Sequence, residues 1–309
     1  MNPVSAVFGA AIAIRNALYD RRVFKVHKLA RPVVSIGNIS VGGSGKTPFV
    51  IALGELLQQR GIEFDVLSRG YGRNSADIAV VDPDGTPQQF GDEPLLIARK
   101  LRVPVIVGAD RYQAGLLAEK QFPGKLHLLD DGFQHRRLHR DFDIVLLPME
   151  DQRGTLLPMG RLREPLSALE RADAVVLPDS AETPLPPFHA KSVWLARRQV
   201  EIAADGRLVA FCGIARPQQF FDALKAAHQE IAGTLTFGDH HRYKQSDIDR
   251  LLALKKKTGA AGFVTTEKDA INLRTLSAQL QPMRTATLRI DLESHDTVMA
   301  ELLRALEQS

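Results

Sequence analysis

The stretch Ser40-Val41-Gly42-Gly43-Ser44-Gly45-Lys46-Thr47 follows a short apolar run at 33–36 and leads into a helical pattern with Pro48 in its first turn. A strand, a glycine-rich turn and a helix that opens on Lys-Thr are the parts of a P-loop. Backbone N–H groups of such a loop surround the phosphates of a nucleotide, the lysine reaches the β and γ oxygens, and the threonine hydroxyl is available to Mg²⁺. Ser40 stands where the general pattern has glycine, but the three glycines keep the loop flexible. Residues 40–47 are therefore predicted to bind a nucleotide, with Lys46 on its phosphates and Thr47 on the metal.

Apolar runs typical of buried strands continue along the chain from the P-loop and alternate with helical patterns. This alternation predicts an α/β fold, in which parallel strands are joined by right-handed crossovers. The strands are predicted at 33–36, 64–67, 103–107, 126–129, 144–147 and 174–177, and helices at 49–60 and 94–100. A β-hairpin is predicted where runs at 78–81 and 87–90 flank the turn sequence Asp82-Pro83-Asp84-Gly85.

A second, smaller α/β unit is predicted beyond the proline-rich segment 178–187, which marks the end of the first unit. Two strands at 192–202 and 207–211 are expected to pair around a turn at 204–206. The patterns that follow predict helices at 218–228, 246–257 and 297–306 and strands at 234–237, 262–265 and 285–290. We therefore expect an N-terminal helix at 1–30, a P-loop domain at 31–190, linker strands at 191–208 and a C-terminal α/β domain at 209–309, with a cleft between the two domains.

Composition narrows the class of protein. The chain has 309 residues, 44% of them hydrophobic and 25% charged, which excludes a disordered, collagen-like or coiled-coil protein. One cysteine, Cys212, excludes a disulfide framework and a cysteine-based zinc or redox motif. A net charge of +4 is too small to indicate a nucleic-acid partner. No apolar run is long enough to span a bilayer and no secretory signal is recognisable, so a reducing, cytoplasmic compartment is predicted.

The first thirty residues have an unusual pattern. Apolar residues at rough helical spacing precede a basic cluster with only Asp20 against it; the apolar residues are Val4, Val7, Phe8, Ala11, Ile12, Ile14 and Leu18, and the basic ones Arg15, Arg21, Arg22, Lys25, Lys28 and Arg31. Such a pattern is typical of a helix lying on an anionic membrane. A terminal helix packed on its own domain with a solvated basic end explains it as well, and this stretch alone favours the packed helix.

Asp130 and Asp131 come directly after the predicted strand at 126–129. A P-loop needs a carboxylate at the end of a neighbouring strand to hold Mg²⁺, usually through water. Both aspartates are therefore metal candidates, and the spacing does not choose between them.

Further polar clusters stand at predicted strand ends, where ligands of an open parallel sheet bind. In the first unit they are SRGYGR (68–73), GDEP (91–94), GADR (108–111), DGFQHR (131–136) and GRLREP (160–165), and in the second GDHHRY (238–243) and TTEKD (265–269). Each has a structural alternative: Asp92 could cap a helix, the arginines could form a solvated rim, and Thr266 with Asp269 could form a helix cap. The adjacent histidines lack the i, i+4 spacing of a helical zinc pair.

Taken together, these motifs resemble one family. GNISVGGSGKTP, SRGYGR, GDEP, GADR, DDGFQHR, GRLREP, FCGIARPQQF, DHHRY and TTEKDA occur in this order in the tetraacyldisaccharide 4′-kinases, the lipid A 4′-kinases of Gram-negative bacteria. The resemblance extends from the N-terminal helix past residue 270, and the family tolerates serine at the position of Ser40. It implies two Rossmann-like domains joined by a two-stranded linker. It also implies transfer of the γ-phosphate of ATP to the 4′-hydroxyl of a tetraacylated glucosamine disaccharide 1-phosphate, at the cytoplasmic face of the inner membrane.

The resemblance also implies roles for individual residues. Lys46 and Thr47 would serve phosphates and Mg²⁺, with Asp130 and Asp131 completing the metal environment. Asp92 would accept the proton of the attacking hydroxyl, helped by a histidine for which His240 is a better match than His241. Five further residues would bind phosphates or order the metal shell: Glu93, Arg111, Gln134, Arg163 and Glu164. An acylated substrate stays in the bilayer, so the resemblance gives the apolar and basic N-terminal helix a role as a peripheral membrane anchor.

Other functions are compatible with parts of the pattern. A soluble P-loop kinase or ligase for a small metabolite would share the P-loop and the aspartates, but would gain nothing from the N-terminal helix. A nucleotide-dependent switch would turn over slowly and make no phosphorylated small product, and the chain has no Asn-Lys-x-Asp run for guanine. A nucleic-acid binder is the weakest alternative, because basic residues beyond the N-terminus are interspersed with acidic ones.

Overall fold

The computed structural model describes residues 3–180, 191–203 and 206–308, and within these ranges twelve strands form one continuous sheet. The strands are β1 (Val33–Asn38), β2 (Phe64–Ser68), β3 (Ala79–Val80), β4 (Val105–Val107), β5 (Leu126–Asp130), β6 (Phe142–Leu146), β7 (Ala174–Pro178), β8 (Ser192–Glu201), β9 (Leu208–Cys212), β10 (Ile231–Thr236), β11 (Gly262–Thr266) and β12 (Met283–Leu292). The helices are α1 (Pro3–Asp20), α2 (Lys46–Gln59), α3 (Pro87–Phe90), α4 (Asp92–Leu101), α5 (Arg111–Gln121), α6 (Pro217–Ala226), α7 (Gln245–Thr258), α8 (Glu267–Leu273) and α9 (His295–Glu307). Short 3₁₀ segments lie at Met149–Asp151, Leu166–Arg171 and Arg274–Leu280.

The sheet runs in the order β10-β9-β11-β12-β8-β7-β6-β1-β5-β2-β4-β3. From β7 to β4 all neighbours are parallel, and β1 is buried at every residue, as a parallel strand covered on both faces should be. The predicted α/β class and the six strands predicted for the first unit are confirmed.

The hydrophobic core lies on both faces of this sheet. On α2, Phe49, Leu53 and Leu57 recur at every fourth position and are fully buried against the strands. Met299 and Leu302 of α9 belong to the same buried cluster, so the last helix packs with the first half of the chain. The domain boundaries at 31–190 and 209–309 stay a prediction.

The predicted hairpin at 78–81 and 87–90 is wrong in its second half. Ala79–Val80 does form a strand, β3, but it pairs antiparallel with β4, while residues 87–90 form the helical turn α3. Proline at the first helical position loses no needed N–H donor, and the Thr86 N–H donates to Oε1 of Gln89 at 2.9 Å, which closes the turn as a helix start. The Asp82 carbonyl still accepts from the Gly85 N–H at 2.9 Å, so the turn itself is present.

The predicted pairing of 192–202 with 207–211 is also wrong. β8 pairs antiparallel with β12, from Ala196 opposite Leu292 to Glu201 opposite Thr287, whereas β9 lies between the parallel strands β10 and β11. β9 is buried at all five residues, and a strand buried on both faces belongs inside a parallel sheet. The sheet therefore passes from one half of the chain to the other through β8 and β12. The predicted turn at 204–206 and the segment 178–187 lie partly outside the described residues.

The parallel topology sets the position of the candidate site. β1, β2 and β5 are neighbours, and Ile36 near the end of β1 is in register with Asp130 at the end of β5. Their carboxyl ends therefore meet at one edge of the sheet, where the P-loop follows β1.

Candidate active site

The P-loop has the backbone shape that its glycines allow. The φ angle is 66° at Gly42, 65° at Gly43 and 84° at Gly45, a left-handed region that other residues rarely adopt. A Cβ on Gly42 would also lie 2.6 Å from the Cβ of Ala215, in the loop before α6. The C-terminal half of the chain thus packs directly on the P-loop.

Lys46 and Thr47 open α2 at the end of this loop. The Lys46 ammonium donates to Oδ1 of Asn38 at 3.2 Å and lies 3.3 Å from Oδ1 of Asp131. The side chain of Ser40 points elsewhere, because its hydroxyl is fully buried and donates to Oδ2 of Asp151 at 2.5 Å. Ser40 therefore holds the base of the loop, whereas the side chain of Lys46 lines the cleft.

The two aspartates at the carboxyl end of β5, Asp130 within the strand and Asp131 directly after it, differ in environment. Asp130 is buried, accepts a hydrogen bond from the Ser68 hydroxyl at 2.9 Å, and has an Oδ1 atom without a hydrogen-bond partner among the described residues. Burial raises the pKa of Asp130 to about 7, and the carboxylates of Glu93 and Asp131 add to this effect. Burial also opposes ionisation of Asp131, but the charges of Lys46 and Arg163 outweigh it and hold the pKa of Asp131 below its usual range.

The two neighbouring carboxylates form an environment that a divalent cation would stabilise. A buried carboxylate with one unsatisfied oxygen and a raised pKa gains free energy from a nearby positive charge. Within residues 3–180, 191–203 and 206–308, no three His, Cys, Asp or Glu side chains cluster in a way that could hold a metal. A P-loop Mg²⁺ does not need such a cluster, because one or two protein oxygens, phosphates and water complete its shell.

Asp92 and His240 meet across the cleft from opposite halves of the chain. Nδ1 of His240 lies 3.0 Å from Oδ1 and 2.9 Å from Oδ2 of Asp92, and the Asn272 amide donates to the same carboxylate at 3.0 Å. Asp92 is 4% exposed at the start of α4, while His240 lines the cleft with a φ of 55°. The tight turn at His240 thus presents the ring to the cleft and to the buried aspartate at once.

The pair is electrostatically matched. Burial alone would raise the pKa of Asp92, but the hydrogen bond from His240 and the charge of Lys268 hold it below its usual range. Burial lowers the pKa of His240, and the hydrogen bond and charge of Asp92 more than compensate, so it lies above the usual value. With Asp92 accepting at Nδ1, the other ring nitrogen, Nε2, is left to take or give a proton on the cleft side.

Of the two adjacent histidines, His241 is the structural one. Its Nε2 contacts Oδ2 of Asp247 at 2.9 Å, and its ring stacks on Phe237 with centroids 4.8 Å apart. Its side chain therefore packs against α7, away from Asp92, and the choice of His240 over His241 as the catalytic histidine stays a prediction.

The other predicted residues fall into two groups. Glu93 and Arg163 line the cleft, and Arg163 NH1 lies 3.2 Å from Oδ2 of Asp131. Gln134 also lines it, and its amide donates to the Asn38 carbonyl at 2.8 Å. Arg111 is only 5% exposed and lies outside the cleft lining, but it interacts electrostatically with Asp130 and Asp131.

Glu164 lies beneath the site and not in it. The side chain is fully buried, and its carboxylate accepts from the Asn16 amide of α1 at 2.8 Å and from Arg171 NH2 at 2.9 Å. It also accepts from the Gln134 amide at 3.1 Å. Glu164 thus connects α1 to a residue that borders the P-loop.

Several cleft residues are absent from the predicted site. Arg198 of β8 donates to the Ser44 carbonyl, and Arg216 pairs with Oδ1 of Asp151 at 2.7 Å. Lys268 and Asn272 of α8 contact the Asp92–His240 pair. Lys268 stands in the TTEKDA motif, whose residue pattern also indicates a helix cap. Arg198 lies in β8, where no sequence motif marks it.

Together these groups border one large cleft. It has a volume of about 1260 Å³ and is lined on one side by the P-loop, Asp130 and Asp131, and on the other by Arg198, Arg216 and residues 239–240 and 266–268. This volume exceeds that of a typical small-molecule pocket. The cleft therefore has room for a nucleotide and a second substrate side by side.

The chain is similar to known proteins over nearly its whole length. A sequence profile of the family described as Tetraacyldisaccharide-1-P 4′-kinase matches residues 1–307. The chain is 49% identical over 319 residues to the tetraacyldisaccharide 4′-kinase of Koribacter versatilis, covering 100% of this chain and 99% of that protein. It is 38% identical over 312 residues to that of Geobacter metallireducens, covering 94% and 92% of the two chains.

A solved structure has the same fold. The crystal structure of the "apo" form of LpxK from Aquifex aeolicus in complex with ATP matches with a TM-score of 0.81 and 33% sequence identity, covering 98% of each chain. A profile match over nearly the whole length, relatives matched over nearly all of their own length and a shared fold leave one conclusion: the chain belongs to the tetraacyldisaccharide-1-P 4′-kinase family.

Proposed function

We propose that the chain transfers the γ-phosphate of ATP to the 4′-hydroxyl of a tetraacylated glucosamine disaccharide 1-phosphate, a step of lipid A biosynthesis. The observation that carries this proposal is the meeting of a P-loop and the Asp92–His240 pair in one cleft. The first element binds a nucleotide by its phosphates, and the second is a proton acceptor for an alcohol. Family membership supplies the identity of the alcohol.

On the nucleotide side, the backbone of residues 40–47 would surround the phosphates, and Lys46 would exchange its contacts with Asn38 and Asp131 for phosphate oxygens. Thr47 and Asp130 would hold Mg²⁺, since Oδ1 of Asp130 has no hydrogen-bond partner among the described residues. Bound there, Mg²⁺ neutralises charge on the β- and γ-phosphates. Arg163, released from Asp131, is suited to a phosphate oxygen, because a guanidinium forks onto two oxygens.

The transfer step needs a proton acceptor on the other side. The oxygen of the 4′-hydroxyl attacks the γ-phosphorus and forms a new P–O bond, while the bond to the β,γ-bridging oxygen breaks and ADP leaves with its electron pair. The hydroxyl proton passes to the Asp92–His240 pair, at Nε2 of His240 on the cleft side. Asp92 then stabilises the imidazolium through Nδ1. Glu93 and Gln134 would line the site around the phosphates, and the buried Arg111 and Glu164 would act from outside the cleft lining.

The lipid substrate requires access to a membrane. Val4, Val7 and Ile14 of α1 are 57%, 71% and 61% exposed, and Val23 and Phe24 after it are 64% and 40% exposed. The basic residues Arg21, Arg22, Lys25 and Lys28 follow α1 in the sequence and are also exposed. No helix in the described residues is long and apolar enough to cross a bilayer. We infer peripheral attachment through α1 at the cytoplasmic face of the inner membrane, where apolar insertion and attraction to anionic lipid add together.

The decisive experiment follows the label. The purified chain is incubated with γ-³²P-labelled ATP, Mg²⁺ and the tetraacylated disaccharide 1-phosphate, and the lipid fraction is separated by thin-layer chromatography. We expect a labelled lipid whose formation requires all three components. Labelled phosphate released from ATP with no labelled lipid would instead favour a nucleotide-dependent switch, and a label on a soluble metabolite would favour a small-molecule kinase.

A further inference from the structure

Lys268 is the charged group on which both sides of the cleft converge. Its ammonium lies 3.2 Å from Oδ1 of Asp239, 3.3 Å from Nε2 of His240, 3.7 Å from Oε1 of Glu93 and 3.9 Å from Oδ2 of Asp92. The side chain is 16% exposed and lines the cleft. A single cation thus contacts both members of the Asp92–His240 pair and the carboxylate of Glu93.

The contact with His240 carries chemical information. An ammonium nitrogen is a donor without acceptor capacity, so a contact with Nε2 requires a lone pair on that nitrogen. Nδ1 of the same ring is engaged by Asp92 and must carry the proton. Lys268 in this position therefore favours the neutral tautomer of His240 with Nε2 unprotonated, which is the form that can accept the hydroxyl proton.

The charges in this region give a second reason. Asp92, Glu93 and Asp239 bring three carboxylates to a place that must admit the γ-phosphate of ATP, which is itself strongly negative. Lys268 is the cation placed within 4 Å of all three in the described residues. Without it, the carboxylates would repel the phosphate, and they would favour the protonated form of His240.

We propose that Lys268 takes part in the transfer, its ammonium holding Nε2 of His240 as a proton acceptor and then donating a hydrogen bond to the transferred phosphoryl group. The inference rests on the proposed function. When the substrate hydroxyl replaces Lys268 at Nε2, the ammonium is freed on the cleft side, where negative charge develops on the phosphoryl oxygens. A positioned donor of this kind stabilises the transition state more than the ground state.

The groups that face His240 come from four places. Asp92 and Glu93 lie on α4, Lys268 on α8, Asp239 on its own loop, and the Tyr71 ring has its centroid 5.0 Å from that of His240. Burial and the Lys268 charge lower the pKa of His240, while Asp92 and Glu93 raise it. Removal of the lysine charge should therefore raise the pKa of His240.

The experiment compares three full-length variants with the wild type: Lys268→Met, Lys268→Arg and, as a matched charge control, Lys256→Met on the exposed side of α7. Rates of labelled lipid formation are measured as a function of pH, with kcat and KM for ATP determined separately. The pKa of the His240 imidazole is followed by NMR, its signal being assigned by loss in His240→Ala. Thermal melting checks the fold.

For Lys268→Met we expect kcat to fall about 100-fold, as for loss of one transition-state donor, with little change in KM for ATP. The acidic limb of the rate profile and the NMR titration of His240 should both move about one pH unit toward alkaline pH, since a unit charge within about 4 Å is removed. Lys268→Arg should keep the titration in place and retain part of kcat. Lys256→Met should match the wild type.

Three results would overturn the inference. They are a Lys268→Met variant with a kcat within threefold of the wild type, an unmoved His240 titration, or a Lys268→Met variant that unfolds beside a fully active Lys268→Arg. In the last case, Lys268 would only neutralise the carboxylates. If the wild-type chain formed no labelled lipid, the proposed function would fail, and the NMR titration would still decide whether Lys268 sets the protonation of His240.

Discussion

Lys46 illustrates how a residue can matter for turnover and little for folding. Its ammonium contacts Asn38 and Asp131 at the open edge of the sheet, and its side chain is 13% exposed. Lys46→Ala should lower kcat at least about 100-fold, because a cation on the transferred phosphate is lost, while the melting temperature stays close to that of the wild type. Steady-state kinetics and a melting curve check this. A purified Lys46→Ala variant with wild-type turnover would contradict the P-loop assignment.

Asp92 and His240 give a prediction about pH. A histidine can accept a proton only in its neutral form. Because the pKa of His240 lies above the usual value for histidine, turnover should fall as the pH drops through this raised pKa. Asp92→Asn removes the charge that stabilises the imidazolium, so the remaining activity should have an acidic limb at lower pH. The kcat of Asp92→Asn should fall about 10²- to 10⁴-fold. An unmoved limb in Asp92→Asn would show that His240 is not the group that titrates.

The neighbouring His241 provides the matched control. Its contacts with Asp247 and Phe237 lie away from the cleft, so His241→Ala should cost about 1 kcal/mol of folding free energy through the lost hydrogen bond to Asp247, with a further loss from the stacking on Phe237. His240→Ala should instead lower kcat strongly with little loss of stability. Chemical denaturation and kinetics on both variants separate the two roles. A large loss of kcat in His241→Ala with none in His240→Ala would reverse the assignment.

At the scale of elements, α1 has two faces with different tasks. Ser5 and Tyr19 are buried against the body of the protein, and Asn16 binds Glu164, so one face is a structural part of the fold. The opposite face exposes Val7 and Ile14. The packed helix and the membrane helix, treated as alternatives at the level of sequence, are therefore compatible in one element.

The exposed face of α1 should govern membrane attachment without affecting ATP. The double substitution Val7→Ser and Ile14→Ser should weaken co-sedimentation with anionic vesicles and raise KM for the lipid, because buried apolar area is lost. KM for ATP and the melting temperature should change little, and raised salt should weaken attachment further. Leu252→Ser, at an exposed apolar residue of α7, is the control. Vesicle binding equal to that of the wild type would limit α1 to its structural role.

At the scale of the whole molecule, the cleft depends on contacts between its two sides. Arg216 before α6 pairs with Asp151, and Asp151 also accepts from Ser40 at the base of the P-loop. Both side chains of the ion pair are almost completely buried, with 10% and 2% exposure. The buried carboxylate therefore links the second half of the chain to the nucleotide loop.

Breaking this contact should loosen the cleft. Asp151→Asn leaves the buried Arg216 guanidinium with only the exposed Glu150 as a charge partner, which should cost part of the about 3–5 kcal/mol typical of a broken buried ion pair. We expect a lower melting temperature, a higher KM for ATP and a larger radius of gyration by small-angle X-ray scattering. Ser40→Ala removes only a hydrogen bond and should give a much smaller effect. Equal stability of Asp151→Asn and wild type would show that the two sides are held by other contacts.

The features that the sequence by itself determined are local ones. A P-loop is a contiguous run in which glycines permit left-handed backbone, and buried strands such as β1 are continuous apolar runs, so neither requires knowledge of distant residues. The position of the carboxylates at the end of β5 could be predicted for the same reason, because they directly follow an apolar run. The order of motifs along the chain then identified the family, because motif order is also a property of the linear sequence.

Tertiary structure alone decided which distant residues meet. β8 pairs with β12 and not with the nearby β9, since a turn signal marks a reversal of the chain without specifying the partner strand. Lys268 joins Asp92 across the cleft, and Glu164 is buried against α1 instead of lining the cleft. Such contacts depend on the packing of elements that are far apart in the sequence, where the shape of the neighbours and the burial of each charge, and not the residue type, determine the role of a side chain.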